Sequence, residues 1–295
     1  MLRPWLELAR ASNLPTVWTN VTAAWLLAGG GWQDWRLGWL VLAGSLLYTG
    51  GMILNDAADV KFDREHRQER PIPSGRVSVA AAWTVGLGMM VAGCWLGMGV
   101  AGASAWITLA LAAAILFYDL YHKPWAGAVW VMGSCRVLLY LMAASHWGAN
   151  SMVWAGAVAL GFYIVGLTMV ARMEGKGGAS SLAAAVFAKG LLYAPGIVAV
   201  ALMVTSGSLR PVMILGDLRP LAPLLLVFVF AAMVVFATRL MRQGGPAIGQ
   251  AVGILLAGIP IVDALAVSRI SFPLALGFVA LAPLLRFWQR WIAAT

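Results

Sequence analysis

Charge is scarce in this chain. Only 11% of its 295 residues are Asp, Glu, Lys or Arg, against about a quarter in an average soluble domain, which is too little to cover a soluble surface of this size. Acids are rarer than bases, 11 against 20. Cysteine is nearly missing, and Cys94 and Cys135 both fall inside apolar runs, where burial accounts for them and nothing follows about redox compartment. The three histidines, His66, His122 and His146, have no metal-ligand spacing, which excludes a zinc site. No Ser-His-Asp set or reactive Cys is evident.

Apolar sequence is abundant instead, at 62% of the chain. A bilayer-spanning helix needs about 20 predominantly apolar residues. Ten candidate runs are found near Asn13 to Gly30, Leu37 to Leu54, Ser78 to Gly97, Ser104 to Leu120, Ala128 to His146, Ser151 to Val170, Leu182 to Thr205, Pro220 to Leu240, Ile248 to Ser268 and Ser271 to Phe287. They are continuous, without the period-two alternation of a transmembrane barrel. The 33 glycines suit close helix packing in lipid. The expected fold is therefore all-α, a polytopic transmembrane helical bundle of nine or ten spans, with residues 1–295 forming a single membrane-embedded domain. Pro260, Asp263 and Arg269 interrupt the last apolar region and decide between the two counts. The first run, preceded by Arg3, Glu7 and Arg10 and lacking an obvious cleavage site, reads as a retained helix rather than a signal peptide.

If the N-terminus is cytoplasmic and all ten runs span, fourteen Lys or Arg fall on the cytoplasmic side, and four, Arg36, Arg210, Arg219 and Arg269, on the other. That asymmetry follows the positive-inside rule. The net charge of +9 is then a topology signal and an attraction to anionic lipid, with no support for nucleic acid and no specific protein partner. The expected location is a bacterial inner membrane, with the polar residues facing the cytoplasm. Trp5, Trp32, Trp35, Trp125, Trp147, Trp288 and Trp291 sit near run ends, as an interfacial belt requires.

Polar residues concentrate in the stretch from Asn55 to Gly75, NDAADVKFDREHRQERPIPSG. If the second helix continues to Asp63, then Asn55, Asp59 and Asp63 recur every four residues on roughly one face. Acids stacked at a helix C-terminus repel each other and oppose its dipole. A hard divalent ion with oxygen ligands, magnesium, removes that penalty and bridges to phosphates. Arg64, Arg67 and Arg70 can hold diphosphate oxygens by charge-assisted hydrogen bonds. A solvated loop of offsetting charges and a transporter's ion site are the other readings of the same residues.

The pattern NDxxDxxxD followed by RxxRPxPSG resembles the first aspartate-rich signature of the UbiA superfamily of intramembrane aromatic prenyltransferases. The resemblance covers roughly residues 8–180. It implies a helical membrane enzyme that binds an isoprenoid diphosphate through magnesium and transfers the prenyl group to a hydrophobic or aromatic acceptor, releasing pyrophosphate. Metal roles are implied for Asn55, Asp59 and Asp63, and diphosphate contacts for Asn55, Arg67 and Arg70.

Three further clusters fall on the same side. In YDLYHKP, residues 118–124, family members often carry Tyr and Lys, so Tyr118 is expected to line the prenyl pocket and Lys123 to contact diphosphate; an interfacial Tyr beside a positive-inside Lys is the plainer account. Asp119, an acid close to hydrocarbon, needs a partner or water. Arg136, well inside the fifth run, is expensive unless it faces a wet cavity, an anion or an ion-pair partner, with Asp119 or Glu174 as candidates. Tyr140 shares its helix face and can position an acceptor or simply pack. In ARMEGKGG, residues 171–178, the family's second aspartate-rich motif is reduced to Glu174, flanked by Arg172 and Lys176. Glu174 is assigned to the metal or to a polar turn. Lys189 is assigned to diphosphate or to the interface. With Cys135–Arg136 and Arg172–Glu174, the chain resembles an atypical subgroup of the kind encoded beside genes of the Ebo type. In the expected mechanism Asp59, Asp63, Lys123 and Arg136 carry catalysis, and the alternative is a non-catalytic isoprenoid or lipid carrier with the same cavity. Asp263 is expected to mark the end of an interrupted helix near the far side of the membrane.

Overall fold

The computed structural model describes residues 2–123, 125–175, 182–206 and 222–292, without the side chains at 173–175 and 182. Lys176, Arg210 and Arg219 lie outside the described residues. The chain opens with α1 (Leu2–Leu8), α2 (Leu14–Leu27), α3 (Arg36–Ala58), α4 (Val60–His66) and α5 (Val79–Trp95), which runs into a π turn over Leu96–Val100. There follow α6 (Ala105–Tyr121), α7 (Ala128–Ala144), α8 (Ser151–Gly175), α9 (Leu182–Leu192) and α10 (Ala194–Thr205). The last four are α11 (Ala222–Met241), α12 (Pro246–Ala257), α13 (Ile259–Val267) and α14 (Phe272–Trp288). No strand occurs among the described residues.

Local chemistry sets the helix starts. Ser78 caps α5, its side chain accepting from Ala81 N at 3.1 Å, and Ser271 caps α14 through Leu274 N at 3.4 Å. Proline stands in the first turn of α10, α12 and α13, where its missing N–H leaves no bond unmade. Large apolar side chains point outward from the bundle, among them Trp106, Phe228 and Val91. With polytopic apolar helices beneath them, they make this an integral membrane protein.

The expected nine or ten spans are not found among the described residues. Five helical stretches there are long and apolar enough to cross a membrane, Arg36–Ala58, Val79–Val100, Ser151–Arg172, Ala222–Met241 and Pro246–Val267, or six if α9 and α10, bent by 54° at their junction, count as one. The reason is length. At about 1.5 Å per residue, the 17-residue helices α6, α7 and α14 rise about 25 Å, short of a hydrocarbon core of about 30 Å. The first run yields a helix of only 14 residues.

Small residues bring the central helices together. A Cβ at Gly50 of α3 would stand 2.8 Å from the Gly86 carbonyl oxygen of α5, and one at Gly133 of α7 would stand 2.9 Å from that of Gly161 in α8. Helix α3 also packs on α2 and α6, and α7 on α2, α6 and α8. Helix α13 returns from the C-terminal third to pack against α2. The C-terminal ends of α3, α6 and α8 therefore meet around the start of α2.

Candidate functional site

The acidic stretch does not form one continuous helix. Helix α3 ends at Ala58, Asp59 lies at the junction, and α4 begins at Val60. The four-residue repeat of Asn55, Asp59 and Asp63 is thereby divided among different partners, and Asp56, which the repeat passes over, belongs to the cluster. Arg70 Nη1 donates to Asp56 Oδ1 at 3.0 Å and to Asp63 Oδ2 at 2.9 Å. Arg10 Nη2 approaches Asp56 Oδ1 from the start of the chain at 3.4 Å. Asn55 turns to α6 and donates Nδ2 to Asp119 Oδ1 at 3.2 Å.

Asp59 faces the end of α6. Lys123 Nζ lies 2.8 Å from Asp59 Oδ1 and His122 Nε2 lies 3.4 Å from Oδ2. Burial raises the Asp59 carboxyl, but the hydrogen bonds from His122 and Lys123 outweigh it and hold the group below its ordinary value. Lys123 also stands 3.8 Å above the Phe62 ring, a cation–π contact. Arg172 Nη2 donates to the His122 carbonyl oxygen at 3.1 Å, joining the end of α8 to this corner.

Asp119 lines two cavities. The outer one, about 790 Å³ including its open mouth, is bordered by Asp59, Lys61, Phe62, His122 and Lys123. The inner one, about 540 Å³ on the same measure, lies between α3, α6 and α7 and is walled by Leu47, Tyr48, Met52, Leu111, Ile115, Tyr118, Met132, Cys135, Arg136 and Leu139. The outer cavity is bordered by charged side chains, while the inner one is walled mainly by apolar ones, with Arg136 its one cation among the described residues.

Arg136 makes no ion pair with Asp119, and the side chain of its other expected partner, Glu174, lies outside the described residues. Its Nη1 donates to Asn20 Oδ1 at 2.7 Å and its Nη2 to Thr16 Oγ1 at 3.3 Å, both on α2. The guanidinium lies 5.6 Å from the Tyr48 ring centre. Asn20 in turn donates Nδ2 to Asp263 Oδ2 at 2.7 Å. Asp263 therefore does not end a helix; it lies inside α13 and is buried within the bundle, 1% exposed.

Most sequence-chosen residues converge here. Asn55, Asp59, Asp63, Arg70, Tyr118, Asp119 and Lys123 form one corner, and Arg136 lies deeper on the inner cavity wall. Tyr140 is fully buried one turn beyond Arg136 and does not line that cavity. Arg67 is exposed and makes no ion pair among the described residues, so the cation turned inward is Arg70. Lys189 lies half-buried in α9, without an ion pair among the described residues. Glu174 is in the last turn of α8, and its side chain lies outside the described residues. Sequence reasoning missed Asp56, Arg10, Asn20 and His122. Asp56 was detectable as the i−3 neighbour of Asp59 and the i−7 neighbour of Asp63, two turns of helix apart.

The donors at this corner are oxygens, the kind a hard divalent ion takes, and one of them, Asp63 Oδ1, is buried without a hydrogen-bond partner. In donor chemistry the corner fits magnesium. Among the described residues, no three His, Cys, Asp or Glu side chains converge as a ready ligand set; Arg10, Arg70, His122 and Lys123 are paired with the carboxylates instead.

The sequence profile of the UbiA prenyltransferase family matches residues 16–252. A digeranylgeranylglyceryl phosphate synthase of Methanothrix thermoacetophila is 36% identical over 90 residues, 30% of this chain and 34% of its own length. A 4-hydroxybenzoate octaprenyltransferase of Methylibium petroleiphilum is 38% identical over 86 residues, 28% of this chain and 27% of its own length. The chain thus spans about a third of the length of the curated relatives it matches. A solved structure of a UbiA homologue from Archaeoglobus fulgidus bound to GPP and Mg2+ superposes with a TM-score of 0.59 at 13% identity, over 94% of this chain and 99% of that one, a likeness of fold.

Proposed function

The chain belongs to the UbiA prenyltransferase family, and on that premise we propose that it transfers a prenyl group from an isoprenoid diphosphate to a hydrophobic or aromatic acceptor, releasing pyrophosphate. The observation that carries the reading is the pair of cavities that share Asp119 in their walls, one bordered by charged side chains and one largely apolar, matched to a ligand with a charged head and a hydrocarbon tail.

The head lies at the mouth. Lys123 and His122 are the cations bordering the outer cavity, and as the allylic C–O bond breaks, the electron pair leaves with the diphosphate and those cations balance its growing charge. Asp59 and Asp63, with Asn55 and Asp56 beside them, are the residues that would hold magnesium. When bound there, the ion supplies charge neutralisation to the diphosphate oxygens. The tail lies in the inner chamber, whose apolar wall excludes water from the allylic cation, with the Tyr48 and Tyr118 rings available for cation–π stabilisation. Arg136 presents its donors to a polar group of a ligand in that chamber. The acceptor attacks the allylic carbon and loses a proton as the new bond forms.

We read residues 1–295 as one membrane-embedded unit, with the acidic corner on the cytoplasmic side of a bacterial inner membrane. The atypical subgroup rests on the Cys135–Arg136 and Arg172–Glu174 stretches alone.

Purified protein in lipid, given magnesium, labelled prenyl diphosphates and a panel of acceptors, tests the proposal. Pyrophosphate release and labelled lipid product, both lost in Asp59→Asn and Asp63→Asn, are the expected result. Saturable diphosphate binding with neither product would assign a carrier, and absence of binding would end the reading.

A further inference from the structure

Arg136 is a cation on the wall of a chamber lined mainly by apolar side chains, and its hydrogen bonds run to one side. Nη1 and Nη2 both donate to α2, to Asn20 Oδ1 and Thr16 Oγ1. Asn20, 0% exposed, is held at both ends, because its oxygen accepts from Arg136 while its amide nitrogen donates to Asp263 Oδ2. A charge on α7 and a charge on α13 are thus joined through a single amide on α2, with no direct ion pair between them among the described residues.

The acid on the cavity wall itself is Asp119, whose Oδ2 is buried and has no hydrogen-bond partner. In a medium of low dielectric an unpaired guanidinium is costly and is drawn to an unsatisfied acceptor. An Arg136 released from α2 would cross the chamber towards Asp119 and fill the space that a hydrocarbon chain needs. We propose that Asp263 is a positioning residue: through Asn20 it draws the Arg136 guanidinium against α2, off Asp119, and so keeps the inner chamber open. This rests on the proposed function, in which that chamber takes the prenyl tail.

Geometry also limits what can replace the device. Only a side chain with an acceptor and a donor on one planar group can sit between a guanidinium and a carboxylate as Asn20 does. Helix α13 is nine residues long and starts at the Gly258 junction with α12, which aims Asp263 at α2.

The test compares Asp263→Asn, Asp263→Glu, Asn20→Leu, Arg136→Met and Arg136→Met/Asp263→Asn in lipid with magnesium, measuring binding of geranyl diphosphate, which has a tail, and of inorganic pyrophosphate, which has none. Loss of the tether weakens geranyl diphosphate binding about tenfold or more, the range for losing a hydrogen bond to a charged group, in both Asp263→Asn and Asn20→Leu. Pyrophosphate binding stays as in the wild type, and Asp263→Glu recovers most of the loss. With no guanidinium to swing, the double variant binds geranyl diphosphate as Arg136→Met does. Equal weakening of both ligands, or losses at 136 and 263 that multiply, would overturn the proposal.

A wild-type protein that binds neither ligand fails the proposed function instead. The tether is then judged by the thermal unfolding of the same series, where additive effects of Arg136→Met and Asp263→Asn sink it. Asn20→Leu carries the test if the variants at 263 do not accumulate in the membrane.

Discussion

Lys123 Nζ lies 2.8 Å from Asp59 Oδ1, and the pair closes the gap between the end of α3 and the end of α6 at the rim of the outer cavity. Without ligand, the lysine has the aspartate as its anion. A diphosphate offers it a second one at the same place. Lys123→Met is expected to weaken prenyl diphosphate binding about tenfold or more, within the range for a hydrogen bond to a charged group. The folded protein should persist, because Lys123 is a third exposed and solvent replaces it. Titration of labelled prenyl diphosphate into the purified variant measures this, and unchanged affinity would remove Lys123 from the diphosphate site.

Arg70 has a different part from the one its motif suggests. Its side chain is 16% exposed, and one nitrogen serves two carboxylates that are 7% and 1% exposed. Removing it leaves Asp56 and Asp63 facing each other with only Arg10 nearby. Arg70→Met is therefore expected to lower stability by about 3 to 5 kcal/mol, as breaking a buried pair does. Asp56→Asn should do less harm, since Arg70 keeps Asp63. Thermal unfolding in one detergent compares the two. A stable Arg70→Met protein that had lost only diphosphate binding would return Arg70 to the ligand contacts.

How far the sequence led differs between local and distant relationships. The helical class and the acidic corner were both readable, because apolar run length and the NDxxDxxxD spacing are local signals. The count of spans failed because run length overstates helix length: α6, α7 and α14 stop at 17 residues. The division of labour among the acids failed because a face argument assumes one helix, and the chain breaks at Asp59. The Arg136 partners lay beyond reach for another reason. Asn20 and Asp263 are separated by 243 positions, and no spacing rule connects them.

Asp34 gives a pH prediction outside the membrane-spanning segments. Its Oδ1 accepts from Arg36 N at 2.9 Å, an Asx turn that opens α3, and its Oδ2 faces Arg36 Nη1 at 3.2 Å. The backbone hydrogen bond from Arg36, above all, holds the carboxyl below its ordinary value, against the smaller effect of burial. A carboxyl depressed in the folded state adds stability above its unfolded value, about pH 4, and loses it as pH falls through the folded value. Asp34→Ala should lower thermal stability slightly and equally from about pH 5 to 8, and the gap from wild type should close below about pH 4. A gap that widens on acidification would show that Asp34 is not the group involved.

The close approach of α3 and α5 leads to the last prediction. A Cβ at Gly50 would lie 2.8 Å from the Gly86 carbonyl oxygen and 3.1 Å from Met90 Cγ. The backbone oxygen cannot turn aside as a flexible side chain can, so Gly50→Ala pushes the helices apart. Overpacking of this kind costs about 1 to 3 kcal/mol. Asn55 and Asp56 lie one to two turns further along α3, so the displacement also moves the residues bonded to Asp119 and Arg70. Gly88, on α5 but with nothing within 4 Å of its Cβ position, provides the control. Gly88→Ala is expected to be neutral or to stabilise by up to about 1 kcal/mol, through the lower chain entropy of the unfolded state. Unfolding temperature and prenyl diphosphate affinity should fall together in Gly50→Ala and hold in Gly88→Ala. Equal behaviour of the two variants would mean that the helices can separate at no cost to the acidic corner.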